Sequence, residues 1–540
     1  MADTVSDAQT LYSEAIDALR QQREQIADDL KFSDPSDPQQ WDDVEKRRRE
    51  TDPGGMRPCL VFDQCGQYVA NVAGQVEQRP PSLHALPVGG GADKKTAEQL
   101  DGHFRHIEHA SKAQQHYARA ATSAARAGVG YLVVRPEYVD RALGYQEPRI
   151  GSEGDPMRVI LDPYSVELDG SDARFGFILQ PISTREYKRR WPKAELVSFG
   201  DKENYRARKD DRDNVIVAEY WQMDEEEGNC IIFMGHDGDE VALPEEQFWE
   251  AKQRGQVMRI LGTYKEKRSA VTWRRLSGAA VLDKSEGKDG KEAAFPSDHI
   301  GIIPVYGYVG FADGRMTYCG IPRRARMPQQ AYNYHMSEAR AYTATAPKAP
   351  WVASVRALRG FESLWDRASV ESRAYLPYND LDEEGAISQP QRMAVSADVR
   401  NHMQGAEQAL RDIQSSLGLY QANLGAPSNE TSGVAIESRK QQGEASTAHF
   451  QTHLAASVAH VGNICLQMVQ RLVDTRRQLR ILSIDSQPST ITINPQQQSS
   501  VEETPQGLSI NPNVGRYDVR VVVGAAYSTQ RQQAQQAFTE

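Results

Sequence analysis

The stretch NLGAPSNETSGVAIESRKQQGEASTAHF, Asn423 to Phe450, decides how the rest of this chain is read. It begins as a polar, glycine-bearing loop and runs into a long helix opening at Ser432. The first turns of that helix, ESRKQQGEASTAH, offer almost nothing apolar to bury. A polar helix of this length is marginal on propensity alone and takes its stability from partners. Gly443 adds a place to bend, at a cost of about 1 kcal/mol relative to Ala. The second half differs: Phe450, Leu454, Val458, Val461, Cys465, Met468 and Leu472 recur at helical spacing and form one apolar stripe that packs on a core. A helix with a core at one end and none at the other implies that the bare end meets another subunit.

Upstream of the loop lie two more helices, Pro328 to Ala346 and Ser396 to Gly418. The second has its N-cap at Ser396 and a seam of Val399, Met403, Ala406, Leu410, Ile413 and Leu417. Between them runs a proline-bracketed segment rich in aromatics, with Trp351, Phe361, Trp365, Tyr375 and Tyr378. It reads as a small module carried on a helical stalk. Before Gly320, from Tyr131 to about Val309, the pattern is one of short β runs such as RFGFIL, NVIVAEYWQM, CIIFM, QVMRILGTY and AVTWRRL. Two helices interrupt them, one capped by Ser183 with Glu186 in STRE and one starting at Pro244. The fold class is therefore α+β.

At the N-terminus, Ser6 to Leu30 and the region around Gln39 to Glu50 read as surface helices, the first with a thin stripe of Leu11, Ile16, Leu19, Ile26 and Leu30. A proline- and glycine-rich passage, RPPSLHALPVGGGADKKT, separates them from a helical segment, Thr96 to Arg126, that Gly128 ends. GVGYLVVRPEYV then reads as a strand. Past Leu482, STITIN and RYDVRVVVG read as a strand pair around a Gln/Ser-rich stretch, and a new helix opens at Ser528 or Thr529. With that helix barely begun at Glu540, the natural chain is expected to be longer.

Composition narrows the function. Lys+Arg total 63 against Asp+Glu 74, a net charge of −11, which argues against a surface that clings to nucleic acid or anionic lipid. Five cysteines with no CxxC pair read as reduced thiols in a cytosolic setting, Cys59 and Cys65 pairing only in an oxidising compartment. No basic segment followed by an apolar run opens the chain, and no run of about 18 apolar residues occurs, so neither a signal peptide nor a membrane span is expected.

The motifs of catalysis are missing or imperfect. GGGADKKT, Gly89 to Thr96, places Lys94 where a phosphate loop needs glycine, and it reads as a flexible loop with no strand before it. His103, His106 and His109 spread over an arc of about 120° on a helix, too wide to grip one ion, and read as exposed. DEEEG at Asp224 and DLDEEG at Asp380 read as solvated turns. The short basic runs, KRRR at Lys46 and KRR at Lys188 among them, read as solvated helix faces or intersubunit ion pairs. No catalytic residue, metal ligand or cofactor is expected.

The order helix, small aromatic module, helix, polar loop, long helix, following an α+β domain, resembles the phage portal protein, and more narrowly the portal family of short-tailed, podovirus-type phages. The residues that carry the resemblance span nearly the whole chain. They include QWDDVEKRRRETDPGGMRPCLVFDQCGQYVANVAGQVEQRPPSLHALPV, VILDPYSVELDGSDARFGFIL, YCGIPRRARMPQQAYNYHMSEARAYTATAPKAPW and GLYQANLGAPSNETSGVAIESRKQQGEASTAHF.

The resemblance implies a homo-oligomeric ring, usually of twelve copies, at the unique capsid vertex of the virion, assembled in the host cytoplasm. Double-stranded DNA would pass through it non-specifically, driven in by terminase and later ejected. Residues 1–130 would be the helical part of a wing and 131–327 its α+β domain. Residues 328–346 and 396–417 would be stem helices. Residues 347–395 would form a clip that meets the terminase large subunit and the tail adaptor, with Trp351, Phe361, Trp365, Tyr375 and Tyr378 at the interface. Residues 418–431 would be a tunnel loop whose Tyr420, Gln421, Asn423, Asn429 and Glu430 touch the duplex backbone. Residues 432–482 would be the long wing helix, and 483–540 wing strands with the start of a C-terminal helical region. Capsid and scaffolding proteins complete the expected partners; no membrane is among them. The alternatives are another virion part, such as a neck adaptor or scaffold, and a DNA-processing ATPase or nuclease, which lacks a phosphate loop and a convincing acidic metal cluster.

Overall fold

The computed structural model describes residues 2–523 except 52–56, 90–91, 141, 201–213, 236–239, 254, 256, 286–291, 346–350, 369–373, 383–384, 387, 393–398, 419–432, 483–487, 498 and 505–506. Its helices are α1 (Ala2–Phe32), α2 (Asp43–Glu50), α3 (Cys65–Gln78), α4 (Lys94–Ser111), α5 (Ala113–Ala127), α6 (Thr184–Arg190), α7 (Glu245–Gln253), α8 (Ile321–Thr345), α9 (Val355–Leu358), α10 (Glu362–Trp365), α11 (Arg400–Leu417) and α12 (Gly433–Leu472). The strands up to α8 are β1 (Pro81–Gly89), β2 (Val129–Asp140), β3 (Tyr145–Glu153), β4 (Val159–Leu161), β5 (Phe175–Ser183), β6 (Asn214–Gly235), β7 (Glu240–Pro244), β8 (Val257–Leu276), β9 (Val281–Lys284), β10 (Ile302–Tyr306), β11 (Tyr308–Ala312) and β12 (Arg315–Cys319). After it come β13 (Trp351–Val352), β14 (Leu381–Asp382), β15 (Gly385–Ala386), β16 (Gln391–Arg392), β17 (Arg477–Leu482), β18 (Pro488–Ile493), β19 (Val501–Thr504), β20 (Gly507–Ile510) and β21 (Arg516–Val523). The mixed α and β content agrees with the expected class. The chain divides into two units, one of residues 1–33, 66–324 and 419–540, the other of 34–65 and 325–418.

The first unit has its core where the apolar half of α12 lies on β2, β3 and β10. Phe450, Leu454, Val458, Val461, Cys465 and Met468 are all buried, as their spacing predicted, and Leu472 is half-buried. Polar anchors fix the helix axially: Ser457 Oγ donates to the Pro304 carbonyl at 2.6 Å and Thr447 Oγ1 to Gln75 Oε1 at 2.8 Å. The backbone of α12 is helical from Gly433, through the polar turns ESRKQQGEASTAH. The loop before it, with Tyr420, Gln421, Asn423, Asn429 and Glu430, lies outside the described residues, as do Ser396 and the segment from Ser528.

Several expectations change. The helix Thr96 to Arg126 is two helices, because Lys112 takes a left-handed conformation (φ 53°) and its N–H turns back to Glu108 and His109. One left-handed residue is invisible to apolar periodicity. Gly128 (φ 85°) does end α5, and Gly130 lies so close to the Ala120 carbonyl that no Cβ fits between them. The passage RPPSLHALPVGGG is not a separator: its residues 81–89 form β1, which pairs antiparallel with β21 across more than four hundred residues. STITIN therefore does not pair with RYDVRVVV; as β18 it joins β17, β20 and β19 in a separate sheet. Pairing between distant segments is decided by tertiary packing, and local pattern cannot specify it.

Nor is α1 a surface helix. Val5, Ala8, Tyr12, Ala15, Ile16, Ile26, Ala27 and Phe32 are buried, and Tyr12 meets Phe177 and Phe199 edge-on at 5.7 and 5.4 Å. Alanines and a tyrosine complete a stripe that large aliphatics alone make thin. His103 is buried as well, stacked on His106 at 6.2 Å, and burial holds its pKa down at about 4; His109 is exposed as expected. A strand does precede GGGADKKT, yet the Asp93 carboxylate caps α4, occupying the N-terminal position that a phosphate would take.

The short β runs merge. NVIVAEYWQM and CIIFM are one strand, β6, and QVMRILGTY and AVTWRRL another, β8; they pair antiparallel from Ala218↔Leu276 to Gly235↔Val257. DEEEG is thus mid-strand, not a turn. Its acids are stabilised across the ladder, Glu225 by Lys267 at 3.6 Å and Glu227 by Lys265 at 3.9 Å. Ser183 caps α6 as read, whereas Pro244 ends β7 and α7 starts one residue later. Among the described residues no helix is long and apolar enough to cross a membrane.

Candidate functional site: a helix pair with an aromatic module

The second unit holds α2, α8 from Ala325 onward, the aromatic module and α11. It has few large buried aliphatics, and a ladder of polar side chains does the joining. Gln329, Asn333 and Ser337, all at 0 % exposure, stand four residues apart on one face of α8. Gln64 N–H donates to Gln329 Oε1 at 3.0 Å, Phe62 N–H to Asn333 Oδ1 at 2.9 Å and Leu60 N–H to Ser337 Oγ at 3.1 Å. The spacings match: four helical residues advance about 6 Å and two extended residues about 6.6 Å. Residues 60–64 therefore run antiparallel to α8 as a strand whose partner is a row of side chains. Asn333 Nδ2 also donates to Gln40 Oε1 at 2.8 Å, and Gln40 Nε2 to Asp63 Oδ1 at 2.9 Å. Sequence reading missed this ladder; its signal is the polar repeat Gln329, Asn333, Ser337 in an otherwise helical stretch.

Arg49, from the KRRR run, is not solvated. At 3 % exposure it pairs with Glu338 at 2.8 Å, donates to the Pro58 carbonyl at 3.2 Å, and lies over Trp41 at 4.9 Å and Tyr334 at 5.3 Å. Burial raises the nearby Cys59 thiol pKa, against the pull of Arg49. Cys65 is buried, and none of the five cysteines is in a disulfide.

The helix expected at Pro328 starts at Ile321 and contains Pro328, while α11 starts at Arg400 with Val399 before it and ends in Gly418 (φ 68°). Of its predicted seam, Ala406, Ile413 and Leu417 are buried, Val399 and Leu410 half-buried, and Met403 exposed. His335 Nδ1 lies 3.5 Å from His402 Nδ1, Tyr342 stacks by His402 at 5.3 Å, and the His335 ring rests on Gly405. Later residues of α8 thus meet earlier residues of α11, so the helices run antiparallel. Burial, then His402, lowers the His335 pKa. Tyr342, Met336, Val399, Met403 and Arg57 line a groove of about 1060 Å³ at the base of the module.

In the module, β13 pairs with β16, and Trp351 packs edge-on against Trp365 at 5.2 Å. Trp365 Nε1 donates to the Pro377 carbonyl at 2.8 Å and Arg392 lies over Trp351 at 5.7 Å. Two of the five predicted aromatics therefore form the module's own small core. Phe361 and Tyr378 are half-buried, and Tyr375, at 81 % exposure, is the one that projects fully. In DLDEEG, Leu381–Asp382 and Gly385–Ala386 pair as a tight hairpin.

Among the described residues no group of three or more His, Cys, Asp or Glu could hold a metal ion. The polar groups of this unit bind one another, an arrangement that fixes geometry and presents surface.

The family model for the Phage P22-like portal protein matches residues 9–540. The chain is similar to a portal protein of Acyrthosiphon pisum secondary endosymbiont phage 1, 27% identical over 404 residues, covering 70% of this chain and 52% of that protein. The chain thus spans about half the length of that curated relative. With the match running almost end to end, the chain belongs to the Phage P22-like portal protein family.

Proposed function

We propose that the protein is a structural subunit of a phage portal: a ring of copies at one capsid vertex, through which double-stranded DNA enters under a terminase motor and leaves at ejection. The observation that carries the proposal is an antiparallel helix pair holding a small aromatic module at one end, in a chain matched to a portal family over residues 9–540. The pair α8 and α11 is the stem and residues 347–395 are the clip. Tyr375, which projects fully, and the half-buried Phe361 and Tyr378 are the clip surface offered to terminase and tail adaptor, because large aromatics left accessible on a small module make partner contacts.

The electrostatics support a conduit. A channel must let a polyanion slide, and every phosphate neutralised by a fixed cation adds counterion-release affinity and therefore drag. Twelve copies at −11 each would carry −132. In this reading residues 418–431 are the tunnel loop, whose Tyr420, Gln421, Asn423, Asn429 and Glu430 touch the duplex backbone without reading bases. Native mass measurement of the purified chain, with end-on electron images, tests this. Rings with a central hole are expected; a stable monomer at micromolar concentration overturns it.

A further inference from the structure

The β6–β8 ribbon has two edges of opposite charge. Met223 N–H is taken by the Arg174 carbonyl at 2.7 Å, but from Asp224 to Asn229, DEEEGN, β6 lies beyond the reach of both β5, whose pairing stops at Gln222, and β7, whose pairing starts at Cys230; among the described residues its sole strand neighbour there is β8. On its other side β8 pairs with β9 only at 274–276, so among the described residues the stretch TYKEKRSA, 263–270, has no second strand neighbour and forms an outer edge. Directly opposed residues of a ladder share a face, so Glu225, Glu227, Lys265 and Lys267 stand on one face of the ribbon. Within the ribbon they pair at 3.6 and 3.9 Å, Glu225 is also met by Arg174 at 3.2 Å, and the four side chains remain 47–78 % exposed. Toward the ribbon's far end Met258, Ile260 and Trp249 are 65, 48 and 48 % exposed.

An open strand edge is a template for pairing with another chain, and proteins either block it, often with charge, or give it a partner. Here one edge is acidic and the other basic. Two copies cannot pair like edge with like edge, since equal charges directly opposite repel. They can pair unlike edges, and the face would then read Glu, Lys, Glu, Lys from strand to strand. Such a contact is heterologous, one surface on each side, and heterologous contacts that close generate rings.

We infer that the acidic edge of β6 in one copy docks along the basic edge of β8 in the next, with Met258, Ile260 and Trp249 buried in the same contact. The inference rests on the ring reading above and names the surface that builds it. The occupant is a second copy of this chain, selected by charge complementarity.

The test uses two variants of the full chain, Lys265→Glu/Lys267→Glu, which makes both edges acidic, and Glu225→Lys/Glu227→Lys, which makes both basic. Each alone is expected to need a concentration about tenfold or more above wild type for half-assembly, and an equimolar mixture is expected to assemble as wild type does. Rings from either variant alone at the wild-type concentration overturn the inference while leaving the portal reading intact. A mixture that stays unassembled also overturns it, because the charges would then serve only within one ribbon. A monomeric wild type removes the ring itself.

Discussion

The polar ladder on α8 makes a quantitative prediction. In Asn333→Leu a side chain of similar volume replaces one that accepts from Phe62 N–H at 2.9 Å and donates to Gln40 Oε1 at 2.8 Å, in a site with no exposure. A donor or acceptor that loses its partner away from water costs about 1–3 kcal/mol. Two such losses put the local cost at about 2–6 kcal/mol. Residues 60–64 make no strand pairing among the described residues, so the loss falls on that segment before it reaches the helices. Hydrogen exchange followed by mass spectrometry on a peptide spanning residues 58–66 reads this directly, because exchange reports the free energy of local opening. At ~1.4 kcal/mol per tenfold, a cost near 3 kcal/mol speeds exchange there about a hundredfold. Peptides from α11 should change far less. Exchange at 58–66 indistinguishable from wild type, with helicity unchanged by circular dichroism, would refute the claim that side chains of α8 hold the segment.

Acid should weaken the first unit. His103 and His460 are both held at about 4 by burial, below their ordinary 6.5, so unfolding takes up protons between those values. Stability is intact above about pH 6.5 and falls as pH drops toward 4, by ~1.4 kcal/mol per pH unit for each histidine. Glu147, lowered to about 2 with His106 and His103 among the causes, extends the loss below pH 4.5. Thermal melts from pH 7.5 to 4.5 should show the decline, with a shallower slope in His103→Gln; equal slopes would show that His103 is not charged on unfolding. Gly130→Ala should cost about 3 kcal/mol, the upper end for overpacking, because the clash is with the Ala120 backbone carbonyl and cannot swing aside. A melting temperature within a degree of wild type would show that α5 and β2 can separate freely.

How much of this was legible from the residues follows the range of the interactions. The apolar half of α12, Phe450 through Met468, could be read because a stripe at helical spacing is a local property and burial simply completes it. Gly128 and Gly418 marked helix ends for the same reason: a left-handed position favours glycine wherever it occurs. The aromatic module between α8 and α11 was visible as composition bracketed by prolines, and the order of parts sufficed to reach the family. The pairing of β1 with β21, the burial of Arg49 against Glu338, and the use of Gln329, Asn333 and Ser337 as a surrogate strand could not be read that way. Each joins segments more than 250 residues apart. A polar side chain carries no mark of whether water or a distant backbone will satisfy it, and tertiary packing makes that choice.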